Sequence, residues 1–120
     1  MKCFLVLKVD ITKSTELDSE KMLSILGNIN HIINRVRKIS GVLTAGVTIG
    51  DEFEVVLEDP DRFFGLIYLT RKLLEAEFRI GVGIGAIENP TIDTPNQMWG
   101  TAFTNAREAL VKAKEKKKEI

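Results

Sequence analysis

Apolar residues follow two rhythms along this chain, and each change of rhythm marks an element. Lys2 to Val9 is a short, mostly apolar run with β-branched and aromatic content, closed by Asp10, and it predicts a buried strand. Alternation sends Cys3, Leu5, Leu7 and Val9 to one face and Phe4, Val6, Lys8 and Asp10 to the other. From about Leu17 to Lys38 the spacing becomes helical, with Met22, Ile25, Leu26, Ile29, Ile32, Ile33 and Val36 on one stripe and Gly41 as the stop. Gly41–Ile49 and Glu52–Glu58 are again strand-like, and the turn pair Gly50-Asp51 between them predicts a hairpin. In its second arm Phe53, Val55 and Leu57 alternate with Glu52, Glu54, Val56 and Glu58.

Asp59-Pro60-Asp61 reads as the cap and first turn of a helix running to about Ala76, with Phe63, Phe64, Ile67, Leu73 and Leu74 as its core residues. Phe78–Glu88 predicts another strand, a loop with Pro90 and Pro95 follows, and Thr101–Lys118 closes the chain as a helix. The order β-α-β-β-α-β-α predicts an α+β, ferredoxin-like fold, βαββαβ plus a C-terminal helix, with an antiparallel sheet in the order 4-1-3-2. In that order the end of the first strand lies beside the turn that opens the third, which sets Asp10 and Asp51 side by side.

Composition narrows the class. With 120 residues, 44% of them apolar, the chain suits one domain with its own core. No apolar run reaches the roughly 18 residues of a membrane span, and Lys2, Lys8 and Asp10 interrupt the start where a signal peptide would be uncharged, so a soluble cytoplasmic protein is expected. Cys3 and His31 are the single cysteine and histidine, which excludes an internal disulfide and a Cys/His zinc site; any metal must be held by oxygen. Basic and acidic residues balance at 17 each, although residues 112–119 hold five lysines against two glutamates. That end reads as a solvated final helix turn, and no specific nucleic-acid binding is expected.

Two carboxylates forced together at a sheet end repel unless protonated or bridged by a cation. Oxygen pairs of this kind suit Mg²⁺ or Mn²⁺, with substrate phosphates completing the shell. Asp10 and Asp51 are therefore the candidate metal ligands, with Glu52 as a third candidate; taken singly, each aspartate also suits a helix cap or a tight turn. Ile11-Thr12-Lys13-Ser14-Thr15 enters a helix N-terminus, where free amides favour the phosphates of a nucleotide triphosphate. Gly81, Gly83 and Gly85 lie within a strand, not after one, which excludes a dinucleotide-binding loop; they leave the sheet face away from the two main helices flat enough for close approach. His31 reads as a solvated helix residue, Cys3 as a small buried apolar one, and Trp99 as a loop residue that stacks on a base or covers a core edge.

Val9-Asp10-Ile11 with Ser14-Thr15, Thr48-Ile49-Gly50-Asp51-Glu52-Phe53 and Arg79-Ile80-Gly81-Val82-Gly83-Ile84-Gly85 resemble the palm of class III nucleotidyl cyclases, especially the small SatD-like proteins; Ala106-Arg107-Glu108-Ala109-Leu110 extends the likeness. The Gly-Asp-Glu-Phe stretch is similar in part to GGDEF-type diguanylate cyclases. The resemblance implies that Asp10 and Asp51, with the Ile11 carbonyl, hold two divalent metals, one activating a ribose hydroxyl and the other the triphosphate. It implies nucleotide contact and transition-state roles for Asn105 and Arg107, and an activity as a nucleotidyl cyclase or nucleotide-second-messenger synthase. Val47 stands where such cyclases carry a purine-reading lysine, and Asn105 and Arg107 are two apart where the family spaces them by four. The alternative is therefore a noncatalytic nucleotide-binding or protein-interaction module of the same fold. Phe4, Val6, Val56 and Ile87 share the glycine-lined face, an apolar patch that needs cover. Because the cyclases pair their palms, a homodimer is expected to supply it, with the final helix as the other candidate.

Overall fold

Seven elements follow one another in the computed structural model, which describes residues 2–12 and 16–116: β1 (Phe4–Ile11), α1 (Ser19–Val36), β2 (Val42–Ile49), β3 (Glu52–Leu57), α2 (Phe63–Leu74), β4 (Phe78–Gly85) and α3 (Thr101–Lys116). The four strands form one antiparallel sheet in the order β2-β3-β1-β4, the expected strand order and consistent with a ferredoxin-like arrangement. No helix among the described residues is long and apolar enough to cross a membrane.

Strand parity divides the core in two. Leu5, Leu7, Val9 and Ile11 of β1 join Phe53, Val55 and Leu57 of β3 beneath α1 and α2, where Ile25, Ile29 and Ile32 are almost wholly buried. Each such side chain contributes about 1.5–3 kcal/mol by leaving water. The predicted stripe of α1 is thus its buried face, and Asp18 caps its start by accepting a hydrogen bond from the Lys21 amide at 2.7 Å.

Phe4, Val6 and Val56 face the other way, into a second cluster with Ile87, Met98, Ala102, Phe103 and Ala106. This face belongs to the chain itself. α3 lies over β4 and β1, while the segment leading to it, with buried Pro95 and Met98, crosses the β2 and β3 half. Thr44 Oγ1 donates to the Asp93 carbonyl at 2.7 Å, and the Arg37 guanidinium donates to the carbonyls of Ile92 and Asp93. The patch that suggested a second copy is covered within one chain, and the reason for pairing two copies through it is gone.

The glycines of β4 explain how. A Cβ at Gly81 would overlap the Ala106 carbonyl, one at Gly83 the Ala102 carbonyl and Ala106 amide, and one at Gly85 the Thr101 hydroxyl. The partner admitted by the flat face is the backbone of α3. β4 stops at Gly85, short of the expected Glu88, because Ala86 turns to the helix. Its amide donates to Thr101 Oγ1 at 2.9 Å and its carbonyl accepts from the Ala102 amide at 3.2 Å.

Two core assignments change. Cys3 precedes the paired part of β1 and is exposed. Phe64 is 79% exposed, while Leu66, Thr70 and Leu74 take the buried face of α2. At about 100° per residue, Phe64 is turned a quarter of the way round from Phe63, onto the outer stripe with Tyr68. Asp59 caps not α2 itself but a short 3₁₀ turn, Pro60–Arg62, that leads into it.

Gly83→Ala is expected to destabilise the protein by about 1–3 kcal/mol, the range of core overpacking, or to displace α3. Gly27, on the exposed side of α1, is the converse case, since an added methyl there would meet no heavy atom within 4 Å. Gly27→Ala should stabilise by about 0.5–1 kcal/mol. Urea unfolding of both variants beside the native protein checks the pair.

Candidate metal and nucleotide site

The carboxylates gather where β1 ends and β3 begins. Asp10 pairs with Glu52 across β1 and β3 and with Arg79 across β1 and β4. Asp51 is one step further out, in the two-residue turn, where Gly50 takes a φ of 48° that suits a primed hairpin turn. Asp10 and Asp51 therefore share one end of the sheet, but the residue in direct register with Asp10 is Glu52. A register shift between Val47 and Ile49 marks a bulge at Thr48, whose hydroxyl donates to the Glu52 carbonyl and carboxylate, both at 3.3 Å.

Lysine side chains occupy this corner, where a bridging metal cation was expected. Lys8 Nζ lies 2.6 Å from Glu52 Oε1 and 3.3 Å from Glu54 Oε2, and Lys114 Nζ reaches Asp10 Oδ2 at 3.1 Å. Glu54 is buried, and burial pushes its carboxyl above the ordinary glutamate range. Lys8 opposes that rise, the Glu52 charge adds to it, and Arg107 on α3 again opposes it. Asp51 keeps one buried carboxylate oxygen, Oδ2, with no hydrogen-bond partner among the described residues.

The expected phosphate cradle is occupied in its described part. Ile11 is a buried strand residue paired with Phe78, and the buried Thr12 donates its amide to the Glu77 carbonyl at 2.9 Å. Lys13, Ser14 and Thr15 lie outside the described residues. The first turn of α1 already has an anion, the Asp18 carboxylate, where a phosphate was expected. On α3, Asn105 donates its side-chain amide to the Ile84 carbonyl at 2.9 Å, fastening the helix to β4. Arg107 is exposed on α3, and its charge opposes the rise in the Glu54 carboxyl. His31 is exposed as expected, and Trp99 is 61% exposed, its backbone closing the loop against Glu88 and Asn89.

Lys8, Glu54 and Lys114 are the residues whose part in this corner is not foreseen from the sequence, as is the cap that Asp18 makes on α1. A signal for Lys114 exists: Ala102, Ala106 and Leu110 are buried at intervals of four, and Lys114 is the next position on that stripe. Parity places Lys8 on the face of Asp10, but the ion pairs need the spatial neighbourhood of β3.

A scan against protein-family models and a search of curated proteins return no match to this chain.

Glu54 holds its proton more tightly folded than unfolded. Its contribution to stability is full below the ordinary carboxyl value of 4.5 and is lost as pH rises from there through the raised value. Glu54→Gln should remove that dependence, so the variant gains on the native protein as pH rises through this window. Urea midpoints for both from pH 4 to pH 8, roughly the range that spans glutamate titration, measure it; parallel curves would show that Glu54 titrates alike in both states.

Proposed function

We propose that this chain is a palm-type nucleotide-binding domain that takes a nucleoside triphosphate with Mg²⁺ or Mn²⁺ at the end of the sheet formed by β1 and β3. The observation that carries this reading is the buried Oδ2 of Asp51, unpartnered among the described residues, at the same sheet end as Asp10. A buried carboxylate oxygen without a partner is costly, and a hard cation bound by oxygens relieves that cost. Asp10 already gathers a cationic group, the Lys114 ammonium. Among the described residues no three acidic groups come together as a metal cage, so the reading takes two carboxylates with substrate phosphates completing the shell, as Mg²⁺ accepts.

Asp10 and Asp51 would hold the ion, with the Ile11 carbonyl as a further oxygen, while Glu52, the third candidate, is held by Lys8. When bound, the ion would serve as Lewis acid and template for the phosphates. Lys8 holds Glu52 and Glu54 in place and limits the negative charge that a triphosphate would meet. Nucleotidyl cyclisation or second-messenger synthesis is the finer form of this proposal.

A second reading, a noncatalytic interaction module, is favoured by two observations. Asn105 spends its amide on the Ile84 carbonyl. On the other side of the sheet, Tyr68, 65% exposed, lines a groove of about 340 Å³ between α1 and α2, and Phe64, one helical turn before it, is 79% exposed.

Incubation with each ribonucleoside triphosphate and Mn²⁺, followed by chromatography of the products, and calorimetry with a nonhydrolysable triphosphate separate the readings: a cyclic or linked nucleotide establishes turnover, binding without product supports a nucleotide-binding domain that does not turn over, and no binding supports the second reading. Calorimetry of Mn²⁺ in the presence of a nonhydrolysable triphosphate should show Asp51→Asn weakened by about tenfold or more. Equal affinity in the two proteins would remove Asp51 from the metal site.

A further inference from the structure

α3 begins and ends differently. Its start is fastened through the Thr101 hydroxyl and Ala102 amide to Ala86 and through Asn105 to Ile84, and its middle rests on the β4 glycines. Beyond Leu110 the apolar stripe runs out. At the next position Lys114 reaches Asp10, in an ion pair whose lysine side chain is 43% exposed and whose aspartate is 14% exposed. Such a contact is weak enough to be exchanged.

We propose that Lys114 is an internal counter-ion for Asp10 that a divalent cation displaces, so that metal arrival at the sheet end releases the last turn of α3. This rests on the metal-binding reading above. The charges around Asp10 support it. Glu52, the register partner of Asp10 on β3, already has Lys8, and Arg79 is the register partner of Asp10 on β4. Lys114 is the group that contacts the Asp10 carboxylate from α3. An ammonium and a hard divalent ion seek the same oxygens, and the electrostatic repulsion between them opposes their sharing Asp10. The earlier contacts of α3 do not involve Asp10, so displacement frees the end of the helix and leaves its start in place.

The test uses the full chain and the metal alone. Lys114→Met keeps the length and helix propensity of the side chain while removing its charge. Lys112→Met removes a charge from the same helix at an exposed residue and serves as the control. Calorimetry should find Mn²⁺ bound about two- to fivefold more tightly by Lys114→Met than by the native protein or the control, on the scale of a partly exposed ion pair. Hydrogen exchange should show residues 113–115 losing protection when Mg²⁺ is added to the native protein, with 102–106 unchanged. Equal Mn²⁺ affinity in all three proteins, or unchanged protection at 113–115 despite binding, overturns the displacement and leaves the metal site standing. No binding by any of them overturns the metal site and the displacement together.

Discussion

The backbone of α3 rests on β4 because Gly81, Gly83 and Gly85 present no side chains, and the second face of the sheet is organised around that contact. With a Cβ at any of these positions the helix would have to stand off, and the second cluster of Phe4, Val6, Val56, Phe103 and Ala106 would lose its closure. Ala102 and Ala106 answer the glycines from the helix with small side chains of their own. Close packing of this kind is intolerant of added volume. The result is a sheet covered on both sides: α1 and α2 on one, α3 and the segment before it on the other.

That closure explains the burial of charge at the end of the sheet. Lys8, Asp10, Glu52 and Glu54 project from the face that α3 covers, so they cannot all remain in water. They are satisfied by one another and by Lys114, and the raised proton affinity of Glu54 is the residue of that arrangement. Neutralising carboxylates with lysines at a partly wet boundary gives little net stability but avoids the large cost of unpaired charge. Such pairs can be exchanged for other cations, which is the property a metal-responsive site needs.

The same geometry separates the two functional readings. A triphosphate-binding palm needs its carboxylates reachable and amides free at a helix start; here Asp10 is held by a lysine and the start of α1 by Asp18. An interaction module needs an outer surface to present, and Phe64 with Tyr68 on α2 is such a surface. The Oδ2 oxygen of Asp51, unpartnered among the described residues, weighs toward the first, because nothing in an interaction role accounts for it.

Strand parity, the α1 stripe and the element order were legible in the sequence because each depends on local periodicity, and together they led to the sheet order and to Asp10 and Asp51 at one end of it. The glycine spacing likewise announced a close approach. What approached was decided only in three dimensions: α3 and a second copy are equally apolar from the standpoint of β4, and the loop length and the bonds from Ala86 to Thr101 and Ala102 select the helix. The same holds for Phe64, whose place depends on where a 3₁₀ turn hands over to α2, and for the ion pairs of Lys8 and Lys114. Periodicity determines which face a side chain occupies, whereas its partner depends on which distant segment the packed chain brings to that face.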